Sequence, residues 1–232
     1  MGNIFEREEM LIGKDALERL KSSRVALFGL GGVGAAAAEA LARGGVGAIE
    51  LIDNDTVSES NINRQLCALG STVGMPKVDA VAMRLADINP EIVIVKRQIF
   101  FLPDTELDFS GVDFVIDAID TVSAKIEIAV RAAGAGVPMI SCMGTGNKLD
   151  PTAITVTDIS KTTVCPLARV MRRELRLRGI NHLPVVFSAE EPRKCIVDDG
   201  HGKHPPASIS FVPPVAGFIA AAEAIKTIAG IK

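Results

Sequence analysis

Between Arg24 and Gly45 the chain runs from an apolar stretch, RVALF, through Gly29-Leu30-Gly31-Gly32-Val33-Gly34 into AAAAEALAR, closed by Gly44-Gly45. Apolar and β-branched residues, then glycines, then strong helix formers spell strand, tight turn, helix. Glycine lets the backbone turn sharply and approach a phosphate closely. The helix start beyond it offers unpaired N–H groups and the positive end of a dipole. A nucleotide site at the carboxyl edge of a parallel sheet is expected, with nicotinamide, flavin and adenylate ligands all compatible.

The alternation continues. AIELID (Ala48–Asp53) reads as a second strand, PKVDAVAMRLADINP as a helix bounded by prolines, and IVIV (Ile92–Val95) and DFVIDAID (Asp113–Asp120) as further strands. A helix over Ala124–Ala135 and a strand over Val137–Ser141 follow. Strand and helix in this order predict an α/β fold, a doubly wound, mostly parallel Rossmann-like sheet. After Gly146, Thr152–Ile159 alternates like an antiparallel strand, Cys165–Gly179 reads as a basic helix and Pro184–Ser188 as a short strand. Cys195–Pro206 reads as a mobile loop, and Val215–Ala229 as a final helix. Residues 1–146 are expected to form the nucleotide-binding region and 147–232 an antiparallel C-terminal extension of the same sheet, one domain overall. Residues 1–23 read as a polar lead-in with one short amphipathic helix around Asp15–Lys21.

Composition narrows the function. Among 232 residues, 48% are apolar but only 4% aromatic, with no Trp or Tyr, so Val, Ile, Leu and Ala fill the core, as in strands buried on both faces. Nine Phe leave little for base-stacking platforms, and a net charge of −3 excludes a generally basic coat. The longest uncharged stretch, Pro205–Ala222, holds four prolines that would break a spanning helix, and no signal core opens the chain, so a cytoplasmic protein with no membrane partner is expected. Cys67, Cys142, Cys165 and Cys195 form no CxxC pair, so no zinc is expected.

The adenylate reading gains from what surrounds the loop. Asp53 ends the second strand, where a carboxylate accepts hydrogen bonds from ribose hydroxyls. Directly after it come Asp55, Asn61 and Arg64, and then Lys77 at a helix start. A dehydrogenase needs a flat apolar slot there, whereas Arg64 and Lys77 suit a reaction that builds charge on phosphorus. Asp120, beyond the fourth strand, is suited to hold Mg²⁺ against the phosphates, and Asp117 is the weaker candidate because its side chain stays in the sheet.

GxGGVG, D-x-D-x-V-x-x-S-N-x-x-R-Q, Lys and D-x-x-D together resemble the adenylating superfamily of ubiquitin-activating enzymes, MoeB and ThiF, over about Phe5 to Gly146. The resemblance implies that ATP lies over Gly29, Gly31, Gly32 and Gly34 with its ribose on Asp53. It also implies phosphate contacts from Asn61, Arg64 and Lys77, Mg²⁺ on Asp120, and Arg7 reaching across a homodimer interface. Farther along, SCMGTGNKLDPTAITVTDISKT, PLARVMRRELR, VVFSAEEPRK and SISFVPPVAG are similar to the tRNA threonylcarbamoyladenosine dehydratase branch. That branch implies ATP-dependent cyclisation of the threonylcarbamoyl side chain on a tRNA adenosine by carboxylate activation, with a cysteine desulfurase or sulfur acceptor as a further partner.

The residues point to RNA independently. From Lys161 to Arg178 there are six basic residues and one acid, and Arg169, Arg172, Arg173 and Arg176 are spaced for one helical face, with Met171 and Leu175 turned away. Such a face meets a phosphate backbone. The rival readings are adenylation of the C-terminus of a ubiquitin-like sulfur carrier, against which the missing CxxC pairs count, and a nucleotide-binding scaffold without chemistry. Cys165 is read as a buried or capping residue rather than a thioester nucleophile.

Overall fold

The computed structural model describes residues 3–194 and 206–231. Two short helices, α1 (Glu6–Ile12) and α2 (Lys14–Lys21), precede β1 (Arg24–Phe28), α3 (Gly32–Arg43) and β2 (Ala48–Ile52). Then come α4 (Lys77–Ile88), β3 (Val93–Arg97), β4 (Phe114–Asp117), α5 (Val122–Ala135) and β5 (Met139–Cys142). The chain continues with β6 (Ile154–Asp158), α6 (Pro166–Arg176), β7 (Pro184–Ser188) and α7 (Val212–Ala229). Helix α1 buries none of its own side chains, so it carries no apolar stripe and escapes the sequence reading. Except for Pro206, the predicted loop at Cys195–Pro206 lies outside the described residues.

One seven-stranded sheet runs in the order β3-β2-β1-β4-β5-β7-β6. All neighbours are parallel except β6 and β7, which pair antiparallel from Ile154 opposite Ser188 to Asp158 opposite Pro184. The mostly parallel sheet with an antiparallel end agrees with the sequence reading.

Apolar residues on both faces of β1 divide the molecule into layers. Val25 and Leu27 join a core with Leu41 of α3, Leu85 of α4 and Ala220 of α7, while Ala26 and Phe28 join a second core with Ile128 of α5 and Met171 and Leu175 of α6. Phe28 meets Phe101 edge to face at 5.1 Å between ring centroids.

Helix α7 corrects one expectation. Pro213 and Pro214 do not break a helix but open one, standing in the first turn, where a missing N–H costs nothing, and the helix begins at Val212 rather than Val215. Its 18 residues are long and apolar enough to cross a membrane by length and composition, yet half of that stretch is buried within the protein, where it packs on α3.

Candidate functional site

A cleft of about 770 Å³ opens at the carboxyl ends of β1, β2, β4 and β5, where strand order reverses direction between β1 and β4. Gly29 has φ +85°, and a Cβ on Gly34 would fall 1.8 Å from the Gly29 carbonyl oxygen, so the chain's own turn demands glycine at both positions. Gly31 is different. A Cβ there would have only Gln65 Nε2 within reach, at 4.0 Å, so the space it leaves belongs to the cleft. Gly31 also caps α3 without a side-chain hydrogen bond, leaving the first-turn N–H groups for a ligand.

Asp53 follows β2. Its Oδ2 accepts from the Leu30 N–H at 2.6 Å and its Oδ1 from the Asp55 N–H at 2.8 Å, which ties the acid to the glycine loop. Burial pushes its carboxyl above the usual aspartate value, against the charge of Lys77 and those two N–H groups. Lys77, the first residue of α4, is almost sealed from solvent at 6% exposure, and its Nζ lies 2.7 Å from Asp55 Oδ2. Asn61 Oδ1 accepts from the Ser58 N–H at 3.2 Å, closing a short 3-10 turn. Arg64 donates to the Ser60 carbonyl and to Asn63 Oδ1, both at 2.8 Å. Asp53, Asp55, Asn61, Arg64 and Lys77 all line the cleft, with Gly29, Gly31 and Gly32; Gly34 lies just behind.

Gln65 carries a role the motif did not assign. Its Oε1, on the cleft wall, is a buried acceptor with no hydrogen-bond partner among the described residues. An acceptor left bare next to the open space at Gly31 suits a ligand that brings a donor, such as a nucleotide hydroxyl or amine.

Asp120 is exposed on the opposite wall, past β4. Asp117 stays in the sheet, fully buried, and ion-pairs with Lys125 of α5 at 2.9 Å. Ser141 Oγ donates to Asp117 Oδ2 at 2.5 Å, and Lys125 Nζ also donates to the carbonyls of Ile119 at 3.1 Å and Cys142 at 2.9 Å. This hub pins both the loop that leads to Asp120 and the end of β5. Lys125 has no place in the motif, and nothing in the local pattern marks it. No group of three metal-binding acids, histidines or cysteines occurs among the described residues. A lone carboxylate fits Mg²⁺, which binds through one or two carboxylates plus substrate phosphates.

The far wall is built by the segment after β5 and the start of α6, with Lys148, Cys165 and Leu167. Cys165 is buried at the start of α6, and burial pushes the Cys142 thiol up to about 12 and raises that of Cys67.

Two groups of predicted residues lie apart from the cleft lining. Arg7 is exposed on α1. On α6, Arg169, Arg173 and Arg176 are exposed, but Arg172 folds back: its Nη1 donates to the carbonyls of Thr162 at 2.9 Å and Ile159 at 3.3 Å and to Thr162 Oγ1 at 2.8 Å. Arg173 in turn pairs with Glu174 at 2.7 Å, so among the described residues the even four-arginine stripe is two unpaired guanidinium groups, Arg169 and Arg176, one surface ion pair and one structural brace.

The profile of the ThiF family matches residues 5–232. The chain is 48% identical over 229 residues to the tRNA threonylcarbamoyladenosine dehydratase of Bacillus subtilis, covering 93% of this chain and 90% of that one. Its structure matches Escherichia coli tRNA N6-threonylcarbamoyladenosine dehydratase solved with ATP, with TM-score 0.87 and 35% identity over 97% of this chain and 93% of that one. It matches the same enzyme with AMP at TM-score 0.87 and 36% identity, over 95% and 91%.

Proposed function

Since this chain belongs to the ThiF family, we propose that it is an ATP-dependent tRNA threonylcarbamoyladenosine dehydratase that closes the acyl side chain of the modified adenosine into a ring. The observation that carries this reading is the likeness to the Bacillus dehydratase along almost the whole of both chains.

Loss of water from a carboxylate is sluggish until the acid is activated. ATP lies over the glycine turn, its ribose on Asp53 and its phosphates toward the α3 N-terminus, Arg64 and Lys77. The substrate carboxylate attacks the α-phosphorus, and pyrophosphate leaves. Arg64 and Lys77 offset the charge that gathers on phosphorus, most effectively where water is excluded, as at nearly buried Lys77. Asn61 holds the turn that carries Arg64, and Asp55 holds Lys77 in place. Mg²⁺, held by Asp120, would supply Lewis-acid stabilisation of the phosphate oxygens. An atom within the same side chain then attacks the acyl carbon and AMP departs. No protein nucleophile is required, because the attacking atom is already close.

Helix α6 supports the RNA side of this reading. It starts at the cleft wall with Cys165, Pro166 and Leu167 and carries Arg169, Arg173 and Arg176 outward, so a phosphate backbone along it delivers a base to the cleft. A homodimer belongs to the same proposal, with Arg7 of one copy reaching the cleft of the other. Met10 and Leu11, at 83% and 85% exposure on α1, supply apolar surface for that contact. Cytoplasmic residence belongs to the same proposal, as suits an enzyme acting on tRNA, and a cysteine desulfurase or sulfur acceptor as a further partner rests on the resemblance alone. Mass spectrometry of tRNA nucleosides after incubation with protein, ATP and Mg²⁺ tests the function: the modified adenosine loses one water, and an unchanged nucleoside refutes the reading.

A further inference from the structure

Three lysines are buried among the described residues, and two have an acid beside them: Lys77 has Asp55 and Lys125 has Asp117. Lys148 has none among the described residues. It is 3% exposed, and its Nζ donates to the Ser188 carbonyl at 3.0 Å. An ammonium carries three donors, so two remain. The Phe187 ring centroid is 6.0 Å away, at the outer edge of cation–π range, and supplies no full counter-charge. Glu190 attracts Lys148, but its carboxylate accepts from the Leu149 and Asp150 N–H groups and pairs with Arg193. Burial accordingly holds the amine below the ordinary lysine value, with Cys165 and Glu190 pulling the other way.

A buried, unpaired cation costs stability, and a fold tolerates one where a ligand supplies the missing anion. Lys148 lines the same cleft as the nucleotide residues, with Cys165 close by. The first turn of α6 lines the same place and adds the positive end of a helix dipole. We propose that Lys148 anchors the substrate's acyl side chain by binding the carboxylate oxygen that does not attack phosphorus. The ligand class is a carboxylate carried on a nucleobase, and the assignment rests on the dehydratase reading above. That oxygen becomes the carbonyl of the acyl adenylate. During ring closure the attacking atom bonds to the acyl carbon, the carbonyl electrons move onto this oxygen and return, and AMP leaves with the pair of the broken C–O bond. The proton of the attacking atom passes to solvent. Lys148 thus faces the same oxygen before and during the chemistry.

The test uses the full-length protein with N6-threonylcarbamoyladenosine as the free nucleoside, alongside tRNA carrying it. Lys148→Met raises KM for the modified nucleoside at least tenfold and weakens its binding in calorimetry by a similar factor, while ATP affinity stays at the wild-type value. Lys148→Arg recovers part of the loss. Lys148→Gln, which keeps a donor for Ser188, separates loss of charge from loss of packing, and its melting temperature shows that the wall has held. Unchanged nucleoside affinity in a folded Lys148→Met overturns the assignment, as does an equal fall in ATP affinity. If the wild type binds the nucleoside through Lys148 but never cyclises it, the function reading fails while the anchor stands. If the wild type does not bind it at all, the anchor falls too.

Discussion

Lys125 Nζ stands 2.9 Å from Asp117 Oδ2 with both side chains wholly buried, beneath the loop that leads to Asp120. The pair adds little for its own sake, because dehydrating two ions takes back most of what their attraction gives. Its value lies in what else the lysine holds, the carbonyls of Ile119 and Cys142. Breaking it from one side strands a charge, so Lys125→Met lowers unfolding free energy by about 3–5 kcal/mol. Removing both charges with Asp117→Asn and Lys125→Met recovers much of that, yet the double variant needs more Mg²⁺ for half-maximal activity. Denaturant melts and Mg²⁺ titrations check this; an unaltered Mg²⁺ requirement means the hub only supports the fold.

Arg64→Ala or Lys77→Met slows ATP-dependent cyclisation by about 10²–10³, the usual loss when one preorganised charge is taken from a transition state. Stability suffers modestly in Lys77→Met: Asp55 is 56% exposed and stays hydrated, whereas the partly buried Asp53 loses a favourable charge. Single-turnover rates with saturating ATP decide the matter, and a rate within threefold of wild type removes either residue from the reaction.

Acid pH offers a separate check on Asp53. Burial raises its pKa, so the ionised carboxylate costs the fold stability at neutral pH and that cost disappears as protons bind. The ribose needs the ionised acceptor. ATP affinity therefore declines with falling pH before an ordinary aspartate would titrate, and Asp53→Asn shows no such decline. At neutral pH the variant binds ATP about 2 kcal/mol more weakly, roughly thirtyfold. Calorimetry from neutral to about pH 4.5 compares the two slopes; parallel slopes clear Asp53 of any ribose contact.

On α6 the arginines divide. Charge reversal at Arg169 or Arg176 weakens tRNA binding and flattens its salt dependence by about one unit of log–log slope for each phosphate no longer neutralised. Arg172→Ala instead lowers the melting temperature, because Thr162 and Ile159 lose the donor that braces them. Filter binding at several salt concentrations separates the two, and a slope untouched by Arg169→Glu or Arg176→Glu places the RNA elsewhere.

The parts of this molecule written in local pattern were legible from sequence. The glycine turn, the carboxylate of Asp53 and the two-sided apolar strands each follow from spacing within one element. What escaped depends on contacts between distant segments. Arg172 sits at the right helical angle for the stripe, but angle cannot say that Thr162 lies beneath it. Gln65 looked like a motif letter until its neighbours left one oxygen bare. Nothing in the sequence singles out Lys125 or Lys148, since burial is a property of the assembled sheet. Helix α1 escaped for the opposite reason, having nothing buried to mark it.

The nucleotide turn rests against a late segment: a Cβ on Gly32 would lie 2.9 Å from that of Pro213 in the first turn of α7. On a ribosome, the glycines, Asp53, Arg64 and Lys77 all emerge well before that proline. The growing polypeptide therefore carries its triphosphate cradle without the Pro213 backing until the start of α7 has been made.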